Sequence, residues 1–254
     1  MIVFDSSTLI LLAKKELLDL FLDDFEGGVA VPKAVRVETC VKGSFDALLI
    51  EKRMEEDKIN VYDAVEKKEQ LKKLIDNFKL GLGEAEALLL CIDKRFGILA
   101  TDDKNAINAC KVLRIRFTTA INILLRLYEK QLIERDKALM KIDNLKVVGR
   151  YKEESGGIEK MSIGIEGKDY SLIEELSKIE GEEKSKVLEE LMELGRMMFA
   201  LRRYEEGKLS LGKAAEIAGM SLSEFMDLLS EFGIKSRISY EDYLEGFDNL
   251  KEVW

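Results

Sequence analysis

The sequence of 254 residues contains no histidine. That absence removes every Ser-His or Cys-His nucleophile and the usual catalytic zinc centre. Chemistry must then rest on carboxylates, Lys, Tyr, Ser/Thr or Cys. Cysteine is scarce: Cys40, Cys91 and Cys110 are odd in number, far apart and without a Cys-x-x-Cys spacing. They read as reduced thiols in helices of a cytoplasmic protein. Long apolar runs are also missing. Leu9 to Leu12 is too short to span a membrane, and Asp5 stands where a signal peptide would be basic. Positive charge is not in excess, since 40 Lys and Arg against 49 Asp and Glu give a net charge of −9. Such a chain is a poor non-specific coat for nucleic acid.

What is present is ample apolar content, 46% of residues, enough for one large domain or two modest ones. Short apolar runs at 2–4, 29–31, 59–62, 98–100 and 116–118 read as strands. They are separated by helical patterns at 7–14, 16–25, 32–42, 44–57, 66–78, 84–96 and 105–112, with two more at 119–130 and 134–142. In the 16–25 helix, Leu17, Leu18, Leu20, Phe21 and Leu22 are the expected apolar face, and the only proline, Pro32, is expected in a first helical turn. Strands alternating with helices predict an α/β fold, a parallel sheet flanked by helices.

Near residue 149 this pattern stops. Residues 149–158 are polar and glycine-containing and read as a linker. Met161 to Ile165 alternates as a strand does, and helices are predicted over 169–179 and 182–205. The second of these carries Val187, Leu191, Leu194, Met198 and Leu201 at near-heptad spacing. Ribbon, helix, helix needs a second chain to complete its ribbon, so a homodimer is expected. Beyond Gly207, Leu211 to Met220 leads to Ser221, whose spacing to Glu224 is that of a capping box, and the whole reads as a helix-turn-helix. The second domain, 159–254, is therefore mostly α. The tail from 236 to Trp254 is acidic and aromatic and reads as packed or partner-bound.

Two predicted strands end in acids: Ile2-Val3-Phe4 in Asp5, and Ile98-Leu99-Ala100-Thr101 in Asp102 and Asp103. Ligand sites of parallel sheets lie at these strand ends. Clustered carboxylates must share protons or hold a cation, and hard divalent ions take oxygen ligands. Each acid also has a structural use. Asp5 and Asp103 can cap the helices that follow, and Glu84 and Glu86 lie in a helix first turn, where acids are favoured.

Asp5, Glu38 in Val31-Pro32-Lys33-Ala34-Val35-Arg36-Val37-Glu38, the helix start Gly83-Glu84-Ala85-Glu86-Ala87, and Thr101-Asp102-Asp103 together resemble PIN domains, closest to VapC-like toxins, over residues 1–148. The resemblance implies an Mg²⁺- or Mn²⁺-dependent ribonuclease with RNA as substrate. Asp5, Glu38, one of Glu84 and Glu86 and one of Asp102 and Asp103 would be its catalytic metal ligands. Spacing favours Glu84 over Glu86 and does not separate Asp102 from Asp103. Ser7 and Thr101 match small polar positions that support the acids, and Lys33, Arg36 and Lys104 are near enough in sequence to contact phosphate.

Residues 199–244 resemble a helix-turn-helix family of antitoxin type. That likeness implies a toxin–antitoxin protein in one polypeptide, its nuclease restrained by its own second domain. In resembling pairs an antitoxin cation enters the acidic site. Arg196, Arg202, Arg203 and Arg237 are candidates here, Arg202 and Arg203 first, and pairing with Glu205 and Glu206 is their ordinary alternative. A rival reading is a DNA-binding or assembly regulator with a silent PIN domain. It is weakened by the recognition-helix position, Ser221 to Phe232, which holds Glu224, Asp227 and Glu231 and no Lys or Arg.

Overall fold

The computed structural model describes every residue except 41–43, 64–66, 95 and 145–166, with backbone alone at 139 and 142–144. The expected linker and the strand at Met161 to Ile165 lie outside the described residues. Strands β1 (Ile2–Phe4), β2 (Val29–Pro32), β3 (Ile59–Tyr62), β4 (Ile98–Ala100) and β5 (Phe117–Thr118) form one sheet in the order β3-β2-β1-β4-β5, and every pairing is parallel. Successive side chains of a strand point to opposite faces, which sorts the core. Ile2, Phe4, Val31, Ile98 and Ala100 pack on one face, while Val3, Ala30, Leu99 and Phe117 pack on the other.

The first face is covered by α1 (Ser6–Lys14), α2 (Leu18–Asp24), α3 (Lys33–Thr39), α4 (Phe45–Glu55) and α8 (Ala120–Glu129) through Leu9, Leu12, Phe21, Val35, Ile50 and Leu124. The second is covered by α5 (Lys68–Phe78), α6 (Leu82–Lys94) and α7 (Lys104–Leu113) through Leu74, Leu88, Leu89 and Ile107. Helix α9 (Arg135–Asn144) follows α8. Pro32 is not in the first turn as predicted. It ends β2 and is the extended N-cap of α3, because the strand carries one residue further than its apolar run. In α2, Leu20 is exposed while Leu17, Leu18 and Phe21 are buried; a helix this short turns only about 100° of its surface inward. Cys91 and Cys110 are buried helix residues whose thiols burial pushes up, to about 12 for Cys91.

The C-terminal region consists of α10 (Lys168–Glu180), α11 (Lys184–Glu205), α12 (Leu211–Ala218), α13 (Leu222–Glu231) and α14 (Tyr240–Lys251). Its buried residues Ala200, Leu201, Leu211, Phe225 and Leu250 belong to the same continuous cluster as the first face of the sheet. The tail is therefore packed within the chain. Asn249 Nδ2 donates to the Phe117 carbonyl (3.0 Å), and the Trp254 ring meets Phe21 edge-on with centroids 5.0 Å apart. On α11 the near-heptad row is buried only at its ends, Val187 and Leu201; Leu191, Leu194 and Met198 are exposed.

Candidate functional site

The register Val3↔Leu99 and Phe4↔Ala100 brings the ends of β1 and β4 level, so Asp5 and the 101–103 segment emerge side by side. Asp5 is buried and is the N-cap of α1. It accepts from Thr8 N (2.9 Å), from Ser7 Oγ (2.9 Å) and from Thr101 Oγ1. Burial outweighs these bonds and pushes its carboxyl up to about 6. Half-buried Asp102 accepts from Thr8 Oγ1 (2.8 Å) and Ala120 N (2.9 Å), and desolvation pushes it up to about 7. Asp103 is fully buried. Its Oδ1 caps α7 by accepting from Asn105 N (2.7 Å) and Ala106 N (3.0 Å), and burial raises its carboxyl. The helix-capping alternatives for Asp5 and Asp103 are thus both realised, without removing either acid from the cluster.

Two more acids arrive from α3 and α6. Glu38 accepts from Ser6 Oγ and from Gly83 N (3.1 Å), and burial raises it. The approach is so close that a Cβ on Gly83 would meet the Glu38 carboxylate carbon at 2.9 Å, which accounts for glycine at this helix start. Buried Glu84 accepts from Gly81 N (2.7 Å) through Oε2. Burial first, and then the nearby Asp103 charge, hold its carboxyl well above the usual range. Glu86 Oε2 accepts from Ala34 N (3.1 Å) in the first turn of α3, and its charge adds to the burial that raises Glu38. Between the two glutamates, Glu84 is the one electrostatically linked to Asp103. All donors here are hard carboxylate oxygens, the right kind for Mg²⁺ or Mn²⁺. As arranged, no three acids among the described residues form a group that could hold one ion.

What stands against these acids is the C-terminal region. Leu211 N donates to Asp103 Oδ2 (2.8 Å) and Gly212 N to Glu84 Oε1 (3.0 Å), so the first turn of α12 faces the site. Helix α13 lies on α1, where Lys14 pairs with Asp227 (2.7 Å) and donates to the Ser223 carbonyl (3.3 Å), while Ser223 Oγ donates to Asp46 (3.3 Å). Lys104 is taken by Asp242 of α14, which Lys111 also pairs with at 2.7 Å. A cavity of about 160 Å³ between the two regions reaches Asp102 and is lined by Lys14, Tyr204, Leu211, Asp227 and Tyr243.

Several sequence expectations change here. Arg202 and Arg203 do not enter the site. Both pair with Glu206 (3.2 and 3.1 Å), four and three residues along at the end of α11, and Arg202 is 80% exposed. Arg237 comes nearest among the four arginines considered: its guanidinium stacks 5.0 Å from the Tyr204 ring centroid, touches Asn105 Oδ1 (3.4 Å), and its charge opposes the burial that raises Asp103. Lys33 pairs with exposed Asp63. Ser7 and Thr101 both donate to the Asp5 carboxylate. Ser6 and Thr8 were missed, although the run Ser6-Ser7-Thr8 directly after Asp5 was a visible signal. The Leu211 and Gly212 amides had none, because backbone donors carry no residue identity.

Comparison with known proteins gives two family matches. A family model described as PIN domain matches residues 1–155, and one described as Uncharacterised protein family (UPF0175) matches residues 175–252. A UPF0175 protein of Archaeoglobus fulgidus is 33% identical over 79 residues, 31% of this chain and 84% of that protein. A UPF0175 protein of Aeropyrum pernix is 41% identical over 58 residues, 23% of this chain and 65% of that protein's length. No solved structure matches the chain. No described helix is long and apolar enough to cross a membrane.

Proposed function

Because the chain belongs to the PIN-domain family over residues 1–155 and to the UPF0175 family over 175–252, we propose that it is an Mg²⁺- or Mn²⁺-dependent endoribonuclease. It works in a toxin–antitoxin context and is restrained by its own C-terminal region. One observation carries the reading: five acids, Asp5, Glu38, Glu84, Asp102 and Asp103, gather at the ends of parallel strands and the start of α6, and burial raises each of them.

Asp5, Glu38, Glu84 and one of Asp102 and Asp103 are the proposed ligands. A divalent ion held by them would lower the pKa of a bound water and steady phosphate charge. Ser7, Thr8 and Thr101 orient Asp5 and Asp102 through the hydroxyl bonds described, and Lys104, held by Asp242 while the C-terminal region is docked, is the proposed phosphate contact once that pair opens. Because Asp5 and Asp102 hold protons up to about pH 6 and 7, loading the site releases protons near neutrality.

The restraint reading rests on α12, α13 and α14 all meeting the PIN region beside the acids. The acidic helix α13 spends its face on α1 rather than presenting it to DNA. The exposed Leu191, Leu194 and Met198 are the surface on which we place a homodimer.

The test is cleavage of a mixed RNA pool by the full chain and its Asp5→Asn variant, with Mn²⁺ or with chelator. Metal-dependent cleavage lost in the variant is the expected result. No cleavage by the full chain or by Gly212→Leu, which disturbs the cover, would sink the proposal. Deleting the C-terminal region is a poorer test, because it strips Leu201, Phe225 and Leu250 from a shared core.

A further inference from the structure

Asp103 and Glu84 divide their oxygens in the same way. Asp103 Oδ1 accepts from Asn105 N and Ala106 N of its own domain, and Oδ2 accepts from Leu211 N. Glu84 Oε2 accepts from Gly81 N, and Oε1 accepts from Gly212 N. In each acid one oxygen is spent inside the PIN region, and the remaining one is met by a consecutive amide of α12. The first amides of a helix have no intrahelical acceptor and form the positive end of its dipole. They are brought to contact distance by two facing glycines: a Cβ on Gly81 would lie 3.3 Å from Gly212 Cα, and one on Gly212 would lie 3.1 Å from Glu84 Oε1. Ser210 N, donating to the Lys79 carbonyl (3.2 Å), pins the helix start there.

From this geometry we infer that the first turn of α12 stands in for the divalent cation at Glu84 and Asp103, so that docking of the C-terminal region and cation binding are mutually exclusive. The inference rests on the nuclease reading for what the cation does, and on the contacts alone for the competition. Leu211 and Gly212 meet the two carboxylate oxygens that Asp103 and Glu84 do not spend inside the PIN region, and with them in place no three acids among the described residues form a group that could hold an ion. By linkage, whatever docking takes from cation affinity, the cation takes from docking. The device is therefore a cation-linked latch: rising Mg²⁺ or Mn²⁺ opens the site that it then fills. It uses backbone amides, not an arginine.

Amide hydrogen exchange in the full chain reads the latch directly. Leu211 and Gly212 donate across the domains, whereas Lys213 N donates to Ser210 Oγ within the same turn (3.2 Å) and serves as an internal control. Saturating Mg²⁺ is expected to lower protection of Leu211 and Gly212 about tenfold, within the usual range for coupled sites, and to leave Lys213 unchanged. Matched ionic strength in NaCl should do neither.

Calorimetry with Mg²⁺ alone should show about tenfold tighter binding to Gly212→Leu than to the parent chain. Lys213 protection in that variant reports that α12 still folds. Mg²⁺ binding with Leu211 and Gly212 protection unaltered, or with equal affinity for both chains, overturns the latch and leaves the nuclease reading standing. Absence of Mg²⁺ and Mn²⁺ binding by either chain overturns the metal dependence itself, and the latch with it.

Discussion

Three C-terminal helices begin alike and end up doing different things. Ser210, Ser221 and Ser239 are the N-caps of α12, α13 and α14, and each accepts from the amide three residues on. In α13 that third residue is Glu224, whose carboxylate reaches back to Ser221 N (2.7 Å) and closes a capping box. In α14 it is Asp242, which closes its box through Ser239 N (2.7 Å) and also pairs with Lys104 and Lys111. In α12 it is Lys213, which cannot accept and turns outward to Glu216 (2.7 Å). A capping box satisfies a helix start from within. In α12 the N-cap amide, Ser210 N, goes instead to the Lys79 carbonyl (3.2 Å), and the next two amides, which no capping box reaches, find Asp103 and Glu84. The side chain at the third position decides whether the N-cap amide is satisfied within the helix or by another segment, and the placement of the helix decides what the next two amides meet.

That contrast can be broken. The largest effect is expected from Lys213→Glu. It supplies the missing box and sets a carboxylate beside two buried ones, so cleavage of RNA in Mn²⁺ should rise about tenfold or more over the parent chain; unchanged rates would detach the α12 contact from activity.

Next is pH in the presence of chelator. Asp5 is raised to about 6 from an unfolded value near 4, so its protonated form favours folding. That stability is complete below pH 4 and is lost as pH rises through 6, about 3 kcal/mol for this group alone. Asp102, at about 7, extends the loss to neutrality. Urea melts at pH 4.5 and 7.5 should therefore show a weaker fold at the higher pH, with Mg²⁺ restoring it.

Asp242 has the opposite sign. Its lysine partners and the Ser239 bonds overcome burial and hold it well below the usual carboxylate range. Its contribution is present above pH 4 and is lost as pH falls below that. Asp242→Asn should lower unfolding stability by about 2 kcal/mol, seen as a lower urea midpoint at neutral pH with little difference in strong acid.

The smallest effect sharpens the comparison. Ser221→Ala should weaken the fold by about 1 kcal/mol without changing cation affinity. Ser210→Ala, at a similar stability change, should also raise that affinity, because Ser210 helps set α12 against Glu84.

Much of this was legible in the residues. The five strands, the α/β order, the acids at strand ends and the α13 capping box were all readable from period and spacing. The order in which the acids occur carried the PIN resemblance before any coordinates. Glu84 and Glu86, two apart in one helix turn, could not be separated firmly by spacing; in the fold Glu86 accepts from the Ala34 amide while Glu84 faces Asp103. Arg202 and Arg203 were attractive as mobile cations, yet Glu206 in their own turn is a nearer partner with less entropy to lose. Leu191, Leu194 and Met198 kept their helical spacing while remaining exposed, since periodicity says which side chains share a face and not what covers it.

By itself, then, the amino-acid order determined the local pieces: which segments alternate, which helices carry their own caps, and which acids stand at strand ends. Those choices depend on neighbours within a turn or two. Only the tertiary structure decided that the free amides of Leu211 and Gly212 meet Asp103 and Glu84 from more than a hundred residues away. Every residue carries the same N–H, so only the packing of the shared core can choose which two of them reach the acids.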